Sequence, residues 1–80
     1  MRHDWEWALK QVEAVLLSLT DLEHEDPERW KRGKNFFVAI RVAMEELLVK
    51  LNEQWSISRS ELQWLEKSLK ALRKWDPDRF

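Results

Sequence analysis

Eighty residues with 44 % hydrophobic and 36 % charged content suit one domain spanning 1–80, near the lower size limit for a core that folds without staples. Fourteen basic residues against fifteen acidic ones give a net charge of −1, which excludes a global basic footprint for nucleic acid. The absence of cysteine excludes disulfides and thiolate metal sites, and no apolar run reaches the ~18 residues of a membrane span. With no signal-peptide pattern at the N-terminus, the expectation is a soluble, cytoplasmic-type protein. One glycine and two prolines leave little material for strands and turns, so long helices are favoured. Six tryptophans and three phenylalanines read as the bulk of a small core, because most fall at helical spacing.

The first helix is predicted over about residues 4–23. Trp5, Ala8, Val12, Val15, Leu19 and Leu22 step by three and four, and Leu9 and Leu16 widen the stripe. Asp4 reads as its N-cap, and Glu6 is favourable in the first turn. Trp7 and Leu17 fall off the stripe.

The second helix is predicted over about 27–52, opened by Asp26 as cap and Pro27 at the first helical position, where no hydrogen bond is lost. Its main face carries Trp30, Gly33, Phe37, Ile40, Met44, Leu47 and Leu51, flanked by Phe36, Ala43 and Leu48. Gly33 and the cations Arg29, Lys31, Arg32 and Lys34 sit awkwardly there. Glycine costs about 1 kcal/mol inside a helix, and a helix N-terminus disfavours positive charge. Either Gly33 admits a tryptophan from a neighbouring helix, or a short helix ends at Gly33 and another starts after Asn35 as cap. The unbroken core register favours one continuous helix. A second apolar line, Val38, Val42 and Val49, points about 180° from the main face.

The third helix is predicted over about 59–75. Ser58 and Glu61 have capping-box spacing, and Ile57 and Leu62 occupy the positions of a hydrophobic staple. Leu62, Leu65, Leu69 and Leu72 form the core seam, with Trp64, Ala71 and Trp75 on its shoulder. Short connections make consecutive helices antiparallel neighbours, so the fold class is all-α, an up-down-up three-helix bundle.

Asp26-Pro27-Glu28-Arg29-Trp30 returns as Asp76-Pro77-Asp78-Arg79-Phe80. The first copy is a helix entry. In the second, Asp76 before Pro77 is biased out of helical geometry, so Pro77 should halt the third helix and Phe80 fold back onto the core. Other matches at the same offset, such as Trp5 with Trp55 and Leu19 with Leu69, follow from two amphipathic helices sharing a pattern; they do not require duplication.

Chemistry is sparse. His3 and His24 lie near opposite ends of the first helix, roughly 30 Å apart, so they cannot share a metal. His24-Glu25-Asp26 lacks a second ligand cluster at metal spacing. Glu45, Glu46, Glu61 and Glu66 come without a Glu-x-x-His motif, and the serines have no positioned base. No enzyme activity, cofactor or metal is expected, and no partner is required. Two surfaces remain as candidates. Val38, Val42 and Val49 could serve a protein partner or a homodimer, joined by Trp7, Leu17 or Trp64 where they emerge. Arg29, Lys31, Arg32 and Lys34 form a basic patch for weak binding to an acidic partner, with nucleic acid disfavoured for want of a continuous stripe. The basic amphipathic run Leu65–Trp75 has a membrane-helix look, but its apolar face is needed to close the bundle.

The Asp26-Pro27 entry, the Ser58/Glu61 box, the Ile57–Leu62 staple and the lack of cysteine together give the chain a style. In that style it resembles a de novo designed or computationally redesigned three-helix bundle. The resemblance implies a structural scaffold with no catalytic activity. Six tryptophans, an in-helix glycine, first-turn cations and the valine line depart from idealised design and fit a redesign on an irregular backbone better.

Overall fold

The computed structural model describes residues 4–80, so His3 and its expected place lie outside the described residues. The described chain is all-helical, with four segments: α1 (Asp4–Glu25), α2 (Pro27–Arg32), α3 (Lys34–Gln54) and α4 (Arg59–Trp75). It measures 42 × 21 × 17 Å along its principal axes. That long axis matches the run from Pro27 to Gln54, about 42 Å at 1.5 Å per residue.

The expected stripes are the buried faces. α1 buries Ala8, Val12, Val15, Leu19 and Leu22; α2 adds Trp30; α3 adds Phe37, Met44, Leu47 and Leu51; α4 closes the core with Leu65, Leu69 and Leu72. Trp5, Ile40 and Trp64 pack against this core while partly buried. α1 touches all three other helices. At its start, the Trp5 indole N–H donates to the Leu51 carbonyl (2.7 Å), and near its end Glu23 accepts from Arg41 (2.9 Å). α3 meets α4 at both ends, through Lys50 with Glu61 and through Phe36 and Phe37 with Trp75.

The continuous second helix is corrected: it divides at Gly33. The break is one residue deep. The Gly33 N–H still reaches the Arg29 carbonyl at a long 3.3 Å, and the Phe37 N–H reaches the Gly33 carbonyl at 2.8 Å. Because the ladder carries across, Trp30, Gly33 and Phe37 all keep the core side. Gly33 has φ −109°, which any residue can adopt, so its backbone does not demand glycine. Space does. A Cβ built there would lie 2.6 Å from the Phe37 ring. The close neighbour is thus Phe37 of the next turn, leaning back along the helix as long side chains do, and not a tryptophan from another helix. Asn35 caps nothing; α3 begins at Lys34 with no side-chain cap.

The ends also shift. α1 runs to Glu25, leaving Asp26 as the whole connection, and α3 runs to Gln54. Asp4 is already part of α1, so it lies within the helix and not at the cap position expected of it. Trp55 ends α3 in the left-handed region at φ 56°. This conformation is normally left to glycine or asparagine. Its ring stacks on Trp5 at 5.3 Å and 12°.

Candidate functional site

The Asp26 cap comes straight from helix-end chemistry. The Asp26 carboxylate accepts from the Arg29 backbone N–H (3.2 Å), satisfying one of the free donors of α2. One turn into α2, the Arg29 side chain then turns outward from the buried Trp30. Its Nε lies 3.8 Å from Asp26, and its terminal nitrogen lies 3.0 Å from Asp76, just beyond α4.

The second copy answers the first. Asp76 ends α4 with its backbone N–H on the Leu72 carbonyl, and residues 77–79 turn so that the Arg79 and Phe80 N–H groups both donate to the Asp76 carbonyl. Pro77 thus follows the stop, as expected, and Phe80 packs on the core. Arg79 Nε returns to Asp76 (3.4 Å), and its other arm donates to Glu25 (3.1 Å). The result is a circuit of Asp26, Arg29, Asp76, Arg79 and Glu25, closed by the peptide bond between Glu25 and Asp26. Asp76 is only 7 % exposed and takes both guanidinium groups. The hydrogen bond to Glu25, with smaller help from Asp76, holds Arg79 above its already high ordinary range. Such a circuit is saturated: the buried acid is held by two fixed cations.

The basic patch is therefore split. Arg29 is spent in the circuit, whereas Lys31, Arg32 and Lys34 stay exposed and make no ion pair among the described residues. These three line a groove of about 400 Å³ together with Gly33, Asn35, Phe36 and Trp75. Trp75 is not the core residue expected from its shoulder position. It stacks on Phe36 (6.1 Å, 18°), presents an edge to Phe37, and leaves much of its ring in solvent. Trp30 stacks on Phe37 at 5.3 Å, and Arg41 lies over the Trp30 ring at 4.7 Å while holding Glu23. The four rings seal the end of the core where Gly33 makes room.

Val38, Val42 and Val49 are 37, 48 and 55 % exposed. The residues suggested to extend them do not. Trp64 packs against the core beside the α3–α4 groove. Leu17 lies about 180° around α1 from that helix's own core stripe, so it projects to the opposite side of the molecule from Val42. Trp7 emerges on yet another flank, about 100° from the α1 stripe.

At the other end, Ser58 and Glu61 form the expected capping box: Ser58 Oγ accepts from the Glu61 N–H (3.1 Å), and Glu61 accepts from the Ser58 N–H (3.0 Å). Lys50 lies 3.6 Å from the same carboxylate. The Ser58 backbone donor, with its hydroxyl and Lys50, holds Glu61 below the usual carboxylate range against the opposing effect of burial.

Sequence reasoning missed Asp76 and Arg79 as partners of the first Asp-Pro element. The signal was present: an acid and an arginine three residues apart, twice. Among the described residues no group of three or more His, Asp or Glu side chains is placed to hold a metal ion, and His24 is exposed. No helix there is long and apolar enough to cross a membrane. No protein-family model, curated protein or solved structure matches the chain.

Proposed function

We propose that this chain is a structural scaffold, an up-down-up three-helix bundle in which α2 and α3 act as one broken middle rod, and that it carries out no catalysis. The observation that carries the reading is the fate of its chemically able side chains. Asp26, Arg29, Asp76, Arg79 and Glu25 are spent on tying the first connection to the segment after α4. Glu61 is spent on a cap and Arg41 on Glu23 and Trp30. Among the described residues no buried side-chain nitrogen or oxygen lacks a partner. Contacts at both ends of α1–α3 and α3–α4 support the antiparallel topology. A designed or redesigned origin fits the capping box and helix entry. The Gly33 break and left-handed Trp55 favour an irregular starting backbone over an idealised one.

Thermal unfolding followed by far-ultraviolet dichroism and tryptophan fluorescence tests this. The scaffold reading expects coincident transitions, with a midpoint above roughly 90 °C if the design is idealised. Separate transitions that merge only when a ligand is added would overturn it.

A second reading is favoured by the groove that combines Lys31, Arg32 and Lys34 with the exposed ring of Trp75. It would seat an acidic peptide weakly. Anisotropy of a labelled polyglutamate peptide, at low and at 0.5 M salt, tests it. Binding that is lost with salt and with Arg32→Glu supports it; no binding at low salt rejects it.

A further inference from the structure

We infer that the end of the bundle where α4 meets the α2–α3 break is a weak binding surface for single-stranded nucleic acid, with a base stacked on Trp75 and phosphates held by cations on either side of it. Along the chain, the cations of residues 29–34 form no continuous stripe. The fold assembles one from elements distant in sequence. Lys31, Arg32 and Lys34 line the groove of about 400 Å³ beside Gly33, Phe36 and Trp75. On α4, Lys67, Lys70 and Lys74 are exposed and fall within about 60° of one another at 100° per residue. They lie to one side of Trp75 on that helix, and the buried Leu65, Leu69 and Leu72 lie to the other. Trp75 packs on Phe36 of α3 (6.1 Å, 18°), so it stands at the junction of the two groups. None of the six cations makes an ion pair among the described residues.

The exposed ring selects the kind of polyanion. Each nucleotide couples a negative charge to a planar ring, whereas an acidic peptide brings carboxylates without rings. Trp75 is 42 % exposed, and it sits between the two sets of cations. A base stacked there has its flanking phosphates directed to Lys31, Arg32 and Lys34 on one bank and to the α4 lysines on the other. Stacking on an aromatic side chain within a cationic groove is the general means by which single strands are held without regard to sequence. An acidic peptide seated in the groove alone would leave Trp75 and the α4 lysines without a role.

Charge sets the strength. Glu28 lies beside Lys31 and Arg32 on α2, Glu66 lies beside Lys70 on α4, and both acids are exposed. The chain as a whole carries a net charge of −1, so attraction is confined to this end. Dissociation therefore falls in about the 10–100 μM range at low salt. Three or four neutralised phosphates give a slope of about −2 to −3 when the logarithm of affinity is plotted against that of salt concentration.

Anisotropy of a fluorescein-labelled oligothymidylate of about twelve nucleotides, titrated with the full chain at several salt concentrations, tests this. The oligonucleotide should bind at low salt, at least about fivefold more tightly than a labelled polyglutamate of equal length. Trp75→Leu should weaken binding by about fivefold or more, and Trp75→Phe, which keeps a stacking face, should retain most of it. The double variant Lys67→Glu/Lys74→Glu lies wholly on the outer face of α4, and it should weaken binding by about tenfold or more. Dichroism spectra confirm that each variant is folded, and the lysine variant decides the matter should Trp75→Leu disturb the packing on Phe36. Absence of oligonucleotide binding at low salt overturns the inference and leaves the scaffold reading intact. Polyglutamate binding as tight as the oligonucleotide overturns it in favour of an acidic peptide. Binding indifferent to Trp75→Leu, or to the α4 charge reversals, overturns it as well.

Discussion

The Arg29 guanidinium stands 3.0 Å from the Asp76 carboxylate, joining the entry of α2 to the exit of α4. The residues belong to the two copies of one five-residue element. What repeats along the chain thus meets in space, each copy providing the charge that the other needs. The carboxylate is nearly buried and the guanidinium is 38 % exposed, so the acid has more to lose from separation than the base.

Asp76→Asn should cost about 1–3 kcal/mol, because Arg29 and Arg79 are then left facing a neutral amide. Arg29→Met should cost about 1 kcal/mol or less, since water screens its exposed side. Urea unfolding of both variants and the double variant should show a coupling of about 1 kcal/mol. Strict additivity would mean that the pair does not form.

Gly33→Ala offers a second test, in which two effects oppose each other. Alanine is the better helix former by about 1 kcal/mol, so an open site would be stabilised. Here the new methyl would sit 2.6 Å from a Phe37 ring that is fully buried and stacked on Trp30. Overpacking should win, with a net loss of about 1–2 kcal/mol. Combining Gly33→Ala with Phe37→Leu should cost less than the sum of the two singles. A thermal midpoint that rises with Gly33→Ala alone would show that the ring moves aside freely.

The stripes on all helices were legible because burial repeats with the helix itself, and residues from Ala8 to Leu72 fall where that period puts them. The division at Gly33 showed only as an alternative, raised by the glycine itself. Its hydrogen bonds carry across and Trp30 and Phe37 stay in phase, so the periodicity cannot register the break. Trp55 gave no local signal for its left-handed backbone, since nothing in its side chain favours that state; Trp5 holds it by stacking from α1. The Arg29–Asp76 contact depends on where α4 ends relative to α2, which only tertiary packing decides. Val38, Val42 and Val49 emerged as expected, but which outer faces join them depends on the arrangement of helices. Leu17, fully consistent with such a patch by exposure, points the other way.

Trp55 separates backbone strain from ring stacking. At φ 56° a non-glycine residue is strained by about 1 kcal/mol, whereas the Trp5 stack contributes about 0.5–1.5 kcal/mol. Trp55→Ala loses the stack and keeps the strain, so it should cost about 1 kcal/mol. Trp55→Gly loses the stack but relieves the strain, so it should lie within about 0.5 kcal/mol of the parent. Thermal unfolding in parallel distinguishes them. Glycine less stable than alanine would mean that α3 no longer ends in the left-handed state.

Glu61 makes the stability of the start of α4 depend on pH. Its folded carboxylate is held below the ordinary range, first by the Ser58 backbone N–H and then by the Ser58 hydroxyl and Lys50. A depressed folded value means that the unfolded chain takes up the proton first as pH falls. The contribution is therefore complete at neutral pH, starts to shrink as pH approaches the unfolded carboxylate value of about 4.3, and is lost as pH drops through the lower folded value. Glu61→Gln keeps an oxygen for the Ser58 N–H but cannot ionise or pair with Lys50, which is itself mostly exposed. The parent should exceed this variant by about 0.5–1 kcal/mol at pH 7, and the gap should narrow as pH falls below the ordinary carboxylate range. Urea midpoints for both proteins at pH 7, 4.5 and 3 measure it. A gap that stays constant over that range would mean that the cap works through shape alone, with no contribution from the charge.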